Sequence, residues 1–408
     1  VSQKYPGGLI TKSPPATVGP VDGEGGSAPG VWTLDQATAL IKQGLWPKPA
    51  IQGQIWSWGY NFYGQLGLNN TTDYSSPKQI GSLTGWGKIA AGTQFSIAIK
   101  TDGTIWSWGR NDSGQLGQTL AVATNRSSPV QIGALTDWLQ VVCGNYHALA
   151  IKTNGTLWAW GRNDAGQLGL GNTTNRSSPV QVGALTTWSK IAAGRSYSAA
   201  VRSDGTLWTW GDNLQGQLGL GTSGAYTERS SPTQVGALTN WRDVVTGLAT
   251  IALKTDGTLW AWGINSNGNL GLNNTTNYSS PKQVGSLTNW AQINCCRTNT
   301  IAIKTDNTAW IWGSNAYGQL GRGNTTEYSS PVQLGALTNW SIIAGMADSV
   351  FGLKTDGTLS SWGRNQRGQL GFGDTTNRSS PVQVGVLTTW VRLPKMPMAE
   401  STLAIKTP

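Results

Sequence analysis

A unit of about 50 residues recurs seven times along the chain, and nothing else in the sequence constrains the fold as strongly. It reads most cleanly from Thr156 to Trp188, TLWAWGRNDAGQLGLGNTTNRSSPVQVGALTTW. Trp-x-Trp-Gly begins at Trp56, Trp106, Trp158, Trp208, Trp260 and Trp310, and the seventh copy keeps Trp362-Gly363 with Ser360 in place of the first Trp. Gly-Gln-Leu-Gly follows in each copy (Gly-Asn-Leu-Gly at Gly268), then Ser-Ser-Pro, then a third Trp: Trp86, Trp138, Trp188, Trp241, Trp290, Trp340 and Trp390. These motifs account for every one of the 22 tryptophans except Trp32 and Trp46. Such a repeat is one supersecondary unit that buries its apolar face only against its neighbours. The repeated region is therefore one continuous body, although 408 residues would otherwise suggest two or three domains.

Within a unit the signals are those of short strands. Ser96 to Lys100 and Thr104 to Trp108 are apolar, β-prone runs, and Asp102-Gly103 between them is a strong hairpin turn. Trp106 and Trp108, two apart, share one side of a strand. Pro129 and its counterparts suit an edge, where a missing N–H does no harm. The glycines of Gly-Gln-Leu-Gly suit a tight turn with positive φ, its Leu pointing inward. About four short strands per unit make a propeller blade. The chain ends on Leu403-Ala404-Ile405-Lys406-Thr407 and the first repeat opens on Gln54-Ile55-Trp56-Ser57-Trp58-Gly59. Joined, they restore the hairpin that is continuous in the other units, which leaves no unpaired edge at the seam. The predicted fold is all-β: a closed seven-bladed β-propeller over 51–408 whose first and last strands share one blade.

Before it come an extended Gly/Pro-rich arm over 1–30 and a short helical connector over 31–50. Thr33 and Gln36 form a capping box, Leu34, Ala37 and Ile41 share a face, and Gly44 and Pro47 end the helix. Trp32, Leu34, Ile41 and Trp46 are its candidate anchor residues. The arm reads either as a disordered tail or as a tether that orders against a partner. Its opening residues lack the basic-then-apolar pattern of a signal peptide, and Val1 at the first position is consistent with removal of a start Met or of a longer leader.

Trp-Gly-x-Asn-x-x-Gly-Gln-Leu-Gly, followed by Pro and a later Gly-x-x-His/aromatic strand, resembles the regulator of chromosome condensation repeat family. The resemblance covers about Gln52 to Pro408 and implies a seven-bladed propeller. The family's activities are diverse: guanine-nucleotide exchange on a small nuclear GTPase, chromatin binding, accessory domains of ubiquitin ligases, and secreted bacterial inhibitors of β-lactamase. The family's strand His falls here on His147 alone; Phe95, Tyr197, Ala249, Asn299, Ser349 and Ser401 hold the matching positions. No exchange-factor residues can be carried over. The segment from Pro29 to Pro47 is similar to connectors in structural and tail-fibre proteins of marine bacteriophages, which implies a virion component that displays its propeller outward.

Reaction chemistry is scarce. The one His of the chain, His147, sits at a strand position that aromatics fill elsewhere, so packing is its expected role and no catalytic set is assigned. Cys143, Cys295 and Cys296 have neither zinc nor disulfide spacing, and no metal or cofactor is expected. Only 12% of residues are charged and the net charge is +10, with no Lys/Arg run of five; nucleic acid is a poor fit as partner. No apolar run approaches the roughly 20 residues that cross a bilayer. Lys100, Lys152, Arg202, Lys254, Lys304, Lys354 and Lys406 hold one repeat position, with Asp two residues on in most copies. They read either as local ion pairs around each turn or as an anion-binding ring.

Positions where the copies disagree are free to serve a partner. The residue after Trp-Gly varies (Tyr60, Arg110, Arg162, Asp212, Ile264, Ser314, Arg364), as does the loop before the Ile-Ala-Ile-Lys strand (Thr93-Gln94, Asn145-Tyr146, Arg195-Ser196, Ala347-Asp348). Strand alternation puts both sets at one end of every blade, opposite the Asp-Gly turns. The candidate binding residues are Tyr60, Thr93, Gln94, Arg110, Asn145, Tyr146, Arg162, Arg195, Asp212 and Arg364; drift on an exposed rim accounts for the same pattern. Two functions follow. One is a non-enzymatic display propeller, virion-associated or extracellular, that meets other virion proteins or a host-surface protein or polysaccharide. The other is a soluble or secreted regulator or inhibitor that caps a partner protein, with a cytoplasmic location as the alternative.

Overall fold

The computed structural model describes residues 53–119, 124–394 and 398–408, which form 28 strands, β1 to β28 in chain order. The arm, the connector helix and its anchors Trp32, Leu34, Ile41 and Trp46 lie outside the described residues. The strands group into seven four-stranded antiparallel sheets. One blade consists of β3 (Trp86–Ala91), β4 (Phe95–Lys100), β5 (Ile105–Gly109) and β6 (Arg126–Gln131). The repeat frame and the blade frame are offset, since β3 and β4 come from one copy of the unit and β5 and β6 from the next.

The inner strands β3, β7 (Trp138–Cys143), β11 (Trp188–Ala193), β15 (Trp241–Thr246), β19 (Trp290–Cys295) and β23 (Trp340–Met346) neighbour one another around the axis. Small and apolar residues fill the axis between β7 and β19, including Val142, Ala192, Val245 and Cys295, around a cavity of about 10 Å³. That is at the lower limit for a single water molecule. The outer strands carry Ser-Ser-Pro at the sheet edge, as Pro requires.

The seam closes as expected. β1 (Gln54–Gly59) pairs along its whole length with β28 (Ser401–Lys406), from Gln54↔Lys406 to Gly59↔Ser401. β2 (Tyr74–Gln79) lies outside β1, and β27 (Trp390–Arg392) lies inside β28. One blade thus draws on both ends of the repeated region.

In six blades the third Trp of one unit and the Trp-x-Trp pair of the next form a cluster, mostly edge to face. Trp86 lies 6.0 Å from Trp106 and 6.4 Å from Trp108, and the other Trp-bearing blades repeat the arrangement. The second Trp of Trp-x-Trp also bridges blades. Trp108 Nε1 donates to the Gln65 carbonyl of the preceding blade at 2.9 Å, and Trp58, Trp160, Trp210, Trp262, Trp312 and Trp362 do the same around the ring. The glycines flanking Gln65 are needed because both touch the next blade. A Cβ on Gly64 (φ 78°) would lie 2.6 Å from Ser127 Cα, and one on Gly67 (φ 73°) 2.8 Å from Trp108 Nε1. Gly-Gln-Leu-Gly, Ser-Ser-Pro and Trp therefore recur together because they are the two halves of one joint.

The basic ring is held mainly by contacts the sequence did not suggest, with local ion pairs at two of its members. Lys304 Nζ lies 3.7 Å from the Trp310 ring centroid and 5.1 Å from that of Trp290; Lys254 and Lys152 are held likewise. These three lysines are at most 8% exposed. The indole faces accept the cations, each contact contributing about 0.5–2 kcal/mol. The aspartates cap their own turns instead: Asp102 Oδ1 accepts Thr104 N and Oγ1 at 2.9 and 2.7 Å. The Thr104 hydroxyl bond is the main cause that holds the Asp102 carboxyl below its usual value. Two ring members also make local ion pairs among the described residues, Arg202 with Asp204 at 3.3 Å and Lys152 with Asp137 at 3.2 Å.

Candidate functional site: a varied arginine–aromatic face

Pairing of Phe95 with Gly109 brings the loop before β4 beside the residue after β5, and Arg110 N donates to Gln94 O at 2.9 Å. The same bond joins Arg162 to Tyr146, Asp212 to Ser196 and Arg364 to Asp348. Both varied sets thus lie at one end of the propeller, and the lysine–indole contacts lie at the other, where Trp86 pairs with Lys100. Neighbouring loops are linked by backbone bonds, as in Thr93 N to Asn145 O and Ala347 N to Ala399 O.

Tyr60, Thr93, Gln94, Arg110, Asn145, Tyr146 and Arg162 fall on three successive blades, and several join in a continuous ladder. Arg367 stacks on Tyr60 at 5.0 Å, and Tyr60 is parallel to Phe62 at 6.4 Å. Phe62 meets the edge of Tyr63 at 4.9 Å. Arg110 lies 4.8 and 5.2 Å from the ring centroids of Tyr63 and Tyr146, and Arg162 lies 5.8 Å from the Tyr146 centroid. Carboxylates fix the guanidiniums: Asp112 pairs with Arg110, Asp164 with Arg162, and Glu400 accepts from Gln94. Burial first, then the nearby Glu400 carboxylate, raises the Tyr60 phenol above its usual value.

The other candidates lie apart from the ladder. Arg195 is exposed on the next blade. Asp212 is occupied locally, its carboxylate accepting Leu214 N and Gln217 Nε2. Arg364 forms a separate cluster: with Arg297 it bonds the buried Asp348, at 3.3 and 3.0 Å, and it stacks on Tyr317.

His147 is fully buried. Its Nε2 lies 3.1 Å from Ser198 Oγ, which itself donates to Gln167 O at 2.8 Å. The pair looks like a base beside a nucleophile, yet both residues have no exposed surface, and Ser198 spends its proton on a backbone carbonyl. With that proton so placed, His147 Nε2 donates to Ser198 and Nδ1 carries the lone pair. Burial lowers its pKa to about 3, the charge of Asp164 offsetting a little of this. It is a packing residue. Among the described residues, no three His, Cys, Asp or Glu side chains are grouped to hold a metal ion, and Cys143, Cys295 and Cys296 are buried.

The family model for the RCC1-like domain matches residues 122–398, more than half of the chain, and two models of the regulator of chromosome condensation (RCC1) repeat match residues 52–99 and 88–115. The chain belongs to the RCC1-like family. Human E3 ubiquitin-protein ligase HERC2 is 31% identical over 121 residues, 29% of this chain, and the Ultraviolet-B receptor UVR8 of Arabidopsis thaliana is 35% identical over 127 residues, 30% of this chain. These matches span 2% and 28% of the two relatives' own lengths. Human WBSCR16 superposes with a TM-score of 0.76 at 22% identity, covering 87% of this chain and 99% of that one. Yeast RCC1 (Prp20), solved bound to Kap60, superposes at 0.78 and 18% identity, covering 88% and 90%. At these identities the structures show the shared RCC1-like fold. The seven-bladed count and the family resemblance read from the repeats both hold.

The sequence reading missed Phe62, Tyr63 and Arg367, which complete the ladder. The signal was present. The two positions after the invariant Asn also vary between copies, as Phe62-Tyr63, Asp112-Ser113, Asp164-Ala165 and Gln366-Arg367.

Proposed function

We propose that this RCC1-like propeller is a non-enzymatic interaction protein that displays its varied face to a partner protein. The carrying observation is the opposition of two ends. The chain enters β1 at Gln54, paired with Lys406 at the lysine end, and the arginine–aromatic ladder lies at the other. The ladder end carries the exposed side chains of Phe62 and Arg367. Solved RCC1-type structures support a protein partner: yeast RCC1 bound to Kap60, and Prp20p with binding to Gsp1p and histones.

The setting we propose is a virion or extracellular one, in which residues 1–50 attach the propeller and the ladder meets a host-surface receptor or a neighbouring virion protein. The likeness of Pro29 to Pro47 to phage connectors supports it. A soluble regulator that caps a partner is the second reading, supported by relatives such as HERC2 and UVR8. Mass spectrometry of purified particles separates the two, since a chain missing from virions refutes display. Substituting Tyr60, Arg110 and Arg162 together with Ala is expected to weaken partner binding at unchanged melting temperature. Unchanged affinity would move the binding site off this face.

A further inference from the structure

The ladder has a centre and two flanks, and they differ in chemistry. At the centre, Phe62 is 63% exposed although it is held on one side by Tyr60 and on the other by Tyr63. A large apolar side chain so rigidly presented to solvent has little conformational entropy left to lose on contact, which is the condition for an interface anchor. At the flanks stand two arginines. Arg367 stacks on Tyr60, its side chain 61% exposed and its ion pair with Asp73 long, at 3.9 Å. The backbone of Arg126 lies on the Tyr63 side, its carbonyl beside Gly64, and Arg126 makes no ion pair among the described residues. Arg110 and Arg162, by contrast, are neutralised by Asp112 and Asp164.

This division argues against a polyanion. A nucleic acid or sulfated polysaccharide laid along the ladder would run over Asp73, Asp112, Asp164 and Glu400, carboxylates interleaved with the arginines, and such like-charge contacts are costly. The cations around it are arginines, whose planar forks suit paired recognition of single carboxylates and stack on aromatic rings. Resting on the interaction reading above, we propose that the ladder docks a protein segment in which an apolar side chain is flanked on both sides by carboxylates. The apolar residue packs on Phe62 between Tyr60 and Tyr63, and the carboxylates reach Arg367 on one flank and Arg126 on the other.

The test uses the full chain immobilised for surface plasmon resonance and four probes. They are a synthetic peptide with a Leu-Trp pair between two runs of Asp/Glu, its Lys-for-acid counterpart, the acidic peptide with Leu-Trp replaced by Ser-Gly, and a heparin oligosaccharide. The acidic Leu-Trp peptide is expected to bind best. Arg126→Glu with Arg367→Glu is expected to weaken it roughly tenfold or more, and Phe62→Ser about fivefold. Lys282→Glu, on the outer strand of a blade across the ring, is expected to change nothing, and all variants keep the wild-type melting temperature. No binding of the acidic Leu-Trp peptide overturns the proposal. Tighter binding of the Lys peptide or of heparin that still depends on Phe62 and Arg367 overturns the partner chemistry and leaves the binding face standing. Peptide binding indifferent to all three substitutions overturns the face itself.

Discussion

Replacing His147 with Phe removes the one imidazole of the chain, and its effect on stability is expected to vary with pH in a calculable way. The folded pKa is lowered from 6.5 to about 3 because burial disfavours the cation. Below pH 6.5 the unfolded chain therefore binds a proton that the folded chain refuses. Stability from this group is fully present above pH 6.5, falls as the pH falls, and levels off only near the folded value. Each pH unit costs about 1.4 kcal/mol, so from pH 7.5 to 4.5 the wild type loses about 2.7 kcal/mol through this residue. That figure is insensitive to where below about pH 4 the folded value lies. Phe fits the site: Phe95 fills the same position over Gly92, as His147 does over Gly144, with Cβ-to-ring distances that only glycine allows, 2.1 and 2.2 Å. The variant also removes the buried Nδ1, which has no hydrogen-bond partner. The measurement is urea unfolding of both proteins from pH 7.5 to 4.5, taken as a difference so that carboxylate contributions cancel. The difference should move by about 2.7 kcal/mol in favour of H147F. A difference that stays flat across this window would refute a buried neutral His147.

Three further outcomes follow from the joints and the seam. Trp160→Phe should cost about 1–3 kcal/mol and Trp210→Phe less, because Gln167 O keeps the Ser198 hydroxyl as a second donor whereas Ala148 offers Gln115 O none; equal losses by chemical denaturation would count against the staple. Lys304→Met should cost about 1–2 kcal/mol by loss of its two indole contacts, a loss that 0.5 M salt should leave largely unchanged if the cation is as enclosed as it looks. Deleting Thr402 to Pro408 strips β28 from β1 and should broaden the thermal transition; a truncated chain that melts as sharply as the full one would sink the closed ring.

The fold was legible because repetition averages away ambiguity. A single Ser96–Lys100 run reads as many things, but seven copies with the same turn and the same Pro read as blades, and the chain ends supply the missing hairpin. What stayed hidden were contacts between copies. Nothing local to Trp108 says that its indole reaches Gln65 in the blade before, and nothing local to Lys304 says that Trp290 will stand beside it. The ladder was half legible for the same reason. Tyr60 and Arg110 stood out as points of disagreement between copies, but the stacking that joins Tyr63, Arg110 and Tyr146 crosses two blade boundaries and has no expression in linear spacing.

The indole-to-carbonyl joint has a consequence for how the ring is counted. Each blade carries the same plug, a Trp N–H, and the same socket, a glycine-flanked carbonyl, so any blade fits any other. Nothing in a joint encodes its position or the number seven. A ring threaded with one blade skipped or borrowed from a second molecule would be just as well bonded at most of its boundaries. Order is checked at the seam, where β1 and β28 arrive from opposite ends of the repeated region and must meet in register. The seven strong joints make the body, and one shared blade proofreads it.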